Sequence, residues 1–354
     1  MKNSFEGLFK GRRVLVTGDT GFKGSWLSLW LHELGAEVVG FALPPERADD
    51  HFNLLSLDKL IRHIDGDIRD LPAVERAFKE AQPEFLFHLA AQPLVRLSYD
   101  EPKLTFDTNV GGSVNILEAV RNTPTLRSFI YVTSDKCYRN NEWPWGYREN
   151  DALGGHDPYS ASKAAAEIVF ASYMSSFFSS RAGLGGASVR AGNVIGGGDW
   201  AADRIVPDSI RFLQSKKPIT LRNPQSTRPW QHVLEPLYGY LLTASMLYNE
   251  PAKFSGPWNF GPDTDSIRTV GELAQKIIEC WGSGSTEVAE IKNAPHEARL
   301  LHLNCDKARS LLGWRPRWGF ERAIEETVGW YKEVCSGSPA LEVSRRQIKE
   351  YMEA

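Results

Sequence analysis

Residues 13 to 27 read RVLVTGDTGFKGSWL, and the choice of fold turns on that stretch. A short β-rich run ends in glycines at 18, 21 and 24, spaced G-x-x-G-x-x-G, and an apolar helical segment follows at once. Glycine lets the backbone turn tightly and approach a pyrophosphate, while unpaired N–H groups at a helix start attract negative charge. A glycine triplet alone is weak, and a purely structural turn is the bland alternative. A strand before it and a helix after it, in the first βαβ unit, is the context that a dinucleotide site requires.

The pattern continues outward from that turn. Further β-rich runs are EVVGFAL (37–43), IRHIDGD (61–67), FLFHLAA (85–91), FIYVTS (129–134) and ASVRAGNV (187–194). Helical periodicity is predicted over 24–34, 70–80, 105–121 and 159–179. Such alternation predicts an α/β fold: a Rossmann-type doubly wound parallel sheet that binds ligands at the carboxyl ends of its strands. Beyond about residue 195 the text is richer in Pro, Trp and Arg, which predicts a smaller C-terminal α/β substrate domain. The expected division is 1–194 for dinucleotide binding and 195–354 mainly for substrate, with a segment near 231–260 packing back on the first. GSGST (282–286) is the most linker-like stretch, yet short enough for an ordinary loop.

Bulk properties exclude several classes of function. With 354 residues, 42% of them hydrophobic, the chain can bury a large core. A net charge of -3 supplies no global basic field for nucleic acid or an anionic membrane, so neither is an expected partner. The four cysteines show no CxxC spacing; reduced thiols in a cytoplasmic protein are expected, and no structural metal. MKNSFEGLFKGRR lacks the apolar centre of a signal peptide, and no apolar run nears the ~20 residues of a membrane span.

The second run lacks an expected feature. An acidic residue for the adenosine ribose belongs at its end, but EVVGFALPPER has Ala42 and Leu43 there. Asp49 and Asp50 come late, and Arg47 could serve a 2'-phosphate, so this segment leaves NAD and NADP both open. Asp67 and Ile68 close the third run as candidate adenine neighbours, although Asp67 could equally cap the helix near Leu71.

YVTSDKCY (131–138) carries an acid and a base, Asp135 and Lys136, out of a strand that the pattern predicts to be buried. Charges are costly to bury, so the pair is either a solvated strand end or chemistry. DPYSASKAAAEIVF places Tyr159 and Lys163 four apart on one helix face. Alone, YxxxK is a common helix surface. Beside the glycine turn and the Ser134 hydroxyl it acquires a purpose, because an ammonium near a phenol of pKa ~10 favours the phenolate. Tyr159 then accepts a hydroxyl proton while hydride leaves the same carbon.

Taken together, TGxTGFxG, HLAAQ (88–92), TFDTNVGG (105–112), the run ending in TSD, YSASK (159–163) and RAGNVIG (190–196) resemble the extended short-chain dehydrogenase/reductase family. The resemblance spans about Arg12 to Trp318, taking in RPWQHV (228–233), WNFGP (258–262) and LLGWRP (311–316), and is strongest with its nucleotide-sugar 4,6-dehydratase branch. It implies NAD as cofactor, with Gly18, Gly21, Phe22 and Gly24 at the turn, Asp67 and Ile68 at the adenine, and Ala90 and Ala91 beneath the cofactor. It also implies a substrate hydroxyl contact at Ser134, the catalytic pair Tyr159 and Lys163, and sugar-nucleotide contacts at Asn193, Arg228 and Arg299. Where dTDP-glucose dehydratases carry Asp-Glu after the hydroxyl residue, this chain has Asp135-Lys136. That departure points to the CDP-sugar branch and to CDP-glucose as substrate, with Lys136 replacing the carboxylate that removes the C5 proton and Asp135 as the acid. The implied assembly is a homodimer or homotetramer paired through 105–121 and 159–179. A 4-epimerase of the same family and a dinucleotide-sensing regulator are the rival readings; the first needs no acid and base at 135 and 136, the second usually has a broken YxxxK.

Overall fold

The computed structural model describes residue 5, residues 7–289 and residues 300–354. Its centre is a sheet of seven strands: β1 (Arg13–Thr17), β2 (Glu37–Ala42), β3 (Arg62–Asp65), β4 (Phe85–His88), β5 (Ser128–Val132), β6 (Gly185–Ala191) and β7 (Gly256–Phe260). They lie in the order 3-2-1-4-5-6-7, and every neighbouring pair is parallel. Strand order reverses between β1 and β4, which opens a crevice at their carboxyl ends. β4 and β6 are buried along their whole length, as strands covered on both faces must be, while edge strand β3 is half-exposed.

Helix α1 (Phe22–Glu33) is apolar nearly all round because it lies between the sheet and the C-terminal helix Ala340–Glu353. Trp30 meets Tyr351 edge-on with ring centroids 5.7 Å apart. α2 (Leu71–Ala81) begins at Asp70, whose carboxylate accepts the Ala73 N–H at 3.3 Å. Asp67 is therefore not the cap; its carboxylate takes the backbone and guanidinium of Arg69 instead.

Three further expectations need correction. The helix predicted over 105–121 is Pro102–Phe106, a wide π turn at Asp107–Gly112, and α3 (Ser113–Arg121). Gly111 and Gly112, poor helix formers, fall in the wide turn, where a Cβ on Gly112 would lie 2.6 Å from the Ile68 side chain. The helix predicted over 159–179 is α4 (Pro158–Tyr173), started by Asp157 accepting the Ser160 N–H at 2.9 Å, and passes into a second wide turn at Met174–Phe178. The sixth strand stops at Ala191, since Gly192 turns the chain past Asp135, and Val194–Ile195 pairs with Gln231–His232 instead. GSGST is an ordinary loop: Gly282, at φ 98°, closes the helix Val270–Trp281, and Thr286 begins a strand paired with Ile219–Leu221.

A buried ion pair joins these layers. Glu167, one turn beyond Lys163 on α4, receives Arg190 of β6 through two bonds, Nε to Oε1 at 2.9 Å and Nη2 to Oε2 at 2.7 Å. The same carboxylate accepts the hydroxyls of Ser188, at 2.8 Å, and of Thr133, the residue before Ser134. Arg190 also donates to the Tyr138 hydroxyl at 2.6 Å, and Tyr138 donates to Asn259 of β7 at 2.8 Å. Removing one partner of such a pair strands the other charge in the core. Glu167→Gln is expected to lower stability by about 3–5 kcal/mol, and Glu167→Gln with Arg190→Met by less than the sum of the single changes, measured by urea unfolding.

Candidate active site

The glycine turn leaves β1 and closes against β4. Gly18 has φ 79°, and a Cβ there would lie 2.7 Å from the backbone nitrogen of Ala90. On Gly24 it would lie 1.9 Å from the Gly18 carbonyl. No side chain caps α1, and its first turn holds no acid, so its N–H groups face the crevice unopposed. The turn therefore fits a dinucleotide pyrophosphate on geometry as well as spacing. Phe22 is half-buried at the start of α1.

The acid missing from the end of β2 is not replaced there: Ala42 is buried, Leu43 is exposed, and Arg47 is held by Asp49 through two 2.7 Å bonds. A buried acid stands within the glycine turn instead. Asp19 accepts from His63 Nδ1 at 2.7 Å, and a Cβ on Gly40 of β2 would fall 2.0 Å from its Oδ2, so only glycine leaves room for the carboxylate. Ile68 is buried; Asp67, Asp107, Gly111 and Asn115 line an open hollow at the same edge.

Ala90 and Ala91 follow β4, and the HLAAQ, TFDTNVGG and YSASK segments are bonded to one another there. Gln92 donates to Thr105 at 2.8 Å, Asn109 donates to the Gln92 carbonyl at 3.1 Å, and Asn109 donates to the Ser162 hydroxyl at 2.9 Å. His88, joined to Thr17 at 2.7 Å, is neutral because burial pushes its pKa down to about 3.

Ser134, Asp135 and Lys136 leave β5 in a tight turn. The Ser134 hydroxyl accepts the Lys136 N–H at 3.2 Å, donates to Asp135 Oδ1 at 3.0 Å and acts on the Tyr159 phenol. Tyr159 and Lys163 are buried on α4. Burial pushes the Tyr159 phenol up to about 12, against the Ser134 hydroxyl and the Arg204 guanidinium. Burial likewise pushes Lys163 down to about 8, against Glu167. The phenol is thus not lowered in the free chain as the spacing predicted: desolvation outweighs Ser134 and Arg204.

Asp135 is buried and Lys136 half-buried. Burial raises the Asp135 carboxyl, with Lys136 the largest opposing influence, followed by Ser134 and Lys23. Among the described residues the two side chains make no close ion pair. Asn193, half-buried beyond β6, accepts the Gln231 N–H on its carbonyl at 3.1 Å. Arg228 lies on the strand Thr227–Pro229, paired antiparallel with Ile267–Thr269, and donates to the Thr227 carbonyl at 2.8 Å. A Cβ on Gly192 would lie 2.9 Å from Asp135 Oδ2 and 3.3 Å from Pro229, so the strand of Arg228 reaches the same crevice. Arg299 lies outside the described residues.

Two cations in the crevice escaped the sequence reading. Lys23, in the first turn of α1, is pushed down to about 8 by burial and by Arg204 and Lys163, with Asp135 opposing. Arg204 bonds Asp199 at 2.8 Å and acts on Tyr159. Lys23 stands inside the glycine motif and was legible there as a cation facing the anion site; Arg204 gave no comparable signal.

The protein-family model described as GDP-mannose 4,6 dehydratase matches residues 15–327. The chain belongs to this family. Relatives sharpen the picture: the chain is 49% identical to a CDP-glucose 4,6-dehydratase of Salmonella typhimurium over 350 residues, 98% of each chain. It is 32% identical to a CDP-paratose 2-epimerase of Salmonella typhi, covering 91% of this chain and all of that one. Among solved structures, the UDP-glucose 4-epimerase of Thermus thermophilus in complex with NAD superposes with a TM-score of 0.77 at 28% identity, covering 90% of this chain and 99% of that one. The same fold thus occurs in a protein named for a different reaction.

The buried carboxyl at the end of β5 gives a direct test. In carbon-labelled protein, with Asp135→Asn to assign the signal, Asp135 is expected to titrate above the ordinary carboxylate range, and higher still in Lys136→Met. An ordinary or lower value in the unsubstituted chain would contradict the burial argument.

Proposed function

We propose that the chain converts CDP-D-glucose into CDP-4-dehydro-6-deoxy-D-glucose and water, as a hydro-lyase with a recycled NAD. The observation that carries this reading is 49% identity along 98% of the chain to a CDP-glucose 4,6-dehydratase. Asp135-Lys136 beside Tyr159 supports it, because a 4-epimerase has no use for an acid and base at that point. The glycine cradle and the uncapped start of α1 support NAD.

Bound at the glycine turn, NAD would supply a hydride acceptor for C4 and, once reduced, a hydride donor for C6. The chain's own groups manage the protons. Tyr159, helped by Ser134 and the charges of Lys163 and Arg204, accepts the proton of the C4 hydroxyl. The ketone so formed acidifies C5. Lys136 is assigned as the base that removes the C5 proton, and Asp135, whose carboxyl burial raises, donates to the departing C6 hydroxyl so that water leaves. Arg228, Asn193 and Arg299 are assigned to the sugar nucleotide, with guanidiniums suited to its diphosphate. Asp67, Ile68, Ala90 and Ala91 are assigned to the dinucleotide.

The division into residues 1–194 for dinucleotide and 195–354 mainly for substrate belongs to the same reading, with β7 returning to the sheet. Two copies pair through the segments 105–121 and 159–179, where Phe106, Ile168 and Phe177 are exposed apolar side chains. A cytoplasmic setting suits a nucleotide-sugar substrate and four free cysteines, and among the described residues no helix is long and apolar enough to cross a membrane.

Incubation with CDP-glucose is expected to yield a product with the alkali-induced ultraviolet absorbance of a 4-keto sugar. Tyr159→Phe is expected to cut the rate by about 10²–10⁴-fold while nucleotide-sugar binding persists. A clear preference for dTDP-glucose over CDP-glucose would overturn the substrate assignment, and undiminished turnover in Tyr159→Phe the role of the phenol.

A further inference from the structure

Arg96, Asp203 and Arg222 are joined by ion pairs, and the chemistry above uses none of them. Arg96 lies on the short helix Val95–Asp100, whose Ser98 hydroxyl accepts the backbone N–H of Tyr159 at 3.2 Å. Arg222 directly follows the strand Ile219–Leu221. Asp203 precedes Arg204, whose guanidinium acts on Tyr159. Three chain segments distant in sequence therefore meet at Asp203, one of them bonded to the backbone of Tyr159 and another running into Arg204.

Their geometry is unusual. A single oxygen, Oδ1 of Asp203, accepts from Arg96 Nη1 at 2.9 Å and from Arg222 Nη2 at 2.6 Å. Two guanidiniums drawn onto one oxygen repel each other, and one carboxylate leaves the trio with a net positive charge. The backbone of Asp203 is left-handed, φ 63°, a conformation that costs a non-glycine residue although aspartate tolerates it better than most. The side chains are 48%, 38% and 40% exposed for Arg96, Asp203 and Arg222, so water weakens both ion pairs and a more highly charged anion can displace the carboxylate. A diphosphate is such an anion: it brings more charge and more acceptor oxygens, and it suits the guanidinium fork.

We infer that Arg96 and Arg222 form a diphosphate subsite that Asp203 fills in the free chain and vacates when the sugar nucleotide enters. The inference rests on the sugar-nucleotide reading above and adds two arginines to Arg228. Asp203 then acts as a built-in competitor: it keeps two like charges together without ligand and sets the affinity for the diphosphate. Cytosine plays no part in the exchange.

Calorimetric titration of the full chain with inorganic pyrophosphate, CDP and cytidine tests it. Asp203→Asn is expected to bind pyrophosphate and CDP about fivefold tighter than the unsubstituted chain, the size of one exposed ion pair released. Arg222→Gln and Arg96→Gln are each expected to bind both more weakly, and thermal melting of all three variants checks that the fold persists. Unchanged or weaker pyrophosphate and CDP binding in Asp203→Asn overturns the inference, as does an equal gain for cytidine, which has no phosphate. Should CDP-glucose be turned over while this ordering is absent, the subsite falls and the proposed function stands. Should pyrophosphate show the ordering while CDP binds no better than dTDP, the subsite stands and the cytidine preference falls.

Discussion

The buried pair of Glu167 and Arg190 is the interaction on which the crevice depends. Glu167 sits one turn past Lys163, and its carboxylate is shared by Arg190 and Ser188 of β6 and by Thr133 just before Ser134. One ion pair therefore fixes the distance between the helix carrying Tyr159 and the strand end carrying Ser134 and Asp135. Through Tyr138 and Asn259 it also ties in β7, so the edge of the sheet is set by the same charges. Burying two charges is favourable only when each finds several partners, and here both do.

The crevice is tuned mainly by the loss of water. Burial pushes Tyr159 up to about 12 and both Lys23 and Lys163 down to about 8, in each case toward the uncharged form. A desolvated site in this condition responds strongly to added charge, since little solvent screens it. Asp135 follows the same rule: burial raises its carboxyl, the direction that the proposed proton donor needs. The half-buried Lys136 beside it keeps more of its water. This asymmetry fits separate tasks better than mutual neutralisation.

Much of the fold was legible because its signals are local. The glycine spacing, the apolar runs of β1 to β6 and the YSASK helix each state their conformation within a few residues. What escaped lies in contacts between distant segments. The segment near 231–260 was expected to pack back, but not as a seventh strand: the strand character of Gly256–Phe260 depends on pairing with β6. The end of β6 at Ala191 depends on Gly192 meeting Asp135, and the acid of the glycine turn on Gly40 making room for it. HLAAQ, TFDTNVGG and YSASK were separate words in the sequence; in the fold they are one network from Gln92 through Asn109 to Ser162. The closeness of Ser134 and Asp135 at a strand end and the shared helix of Tyr159 and Lys163 were readable, whereas the upward shift of the phenol was not, since it comes from desolvation by the assembled core.

The division of labour proposed for Asp135 and Lys136 is what would separate this chemistry from the other reactions that the same sheet supports. Exchange of the sugar C5 hydrogen with deuterated solvent during turnover of CDP-glucose measures it most directly. If Lys136 is the base, Lys136→Met still reduces NAD in a single turnover, yet incorporates no deuterium at C5, while Asp135→Asn incorporates deuterium and stalls before water leaves. Deuterium entering C5 in Lys136→Met at the rate of the unsubstituted enzyme would contradict the assignment and give the proton to another group.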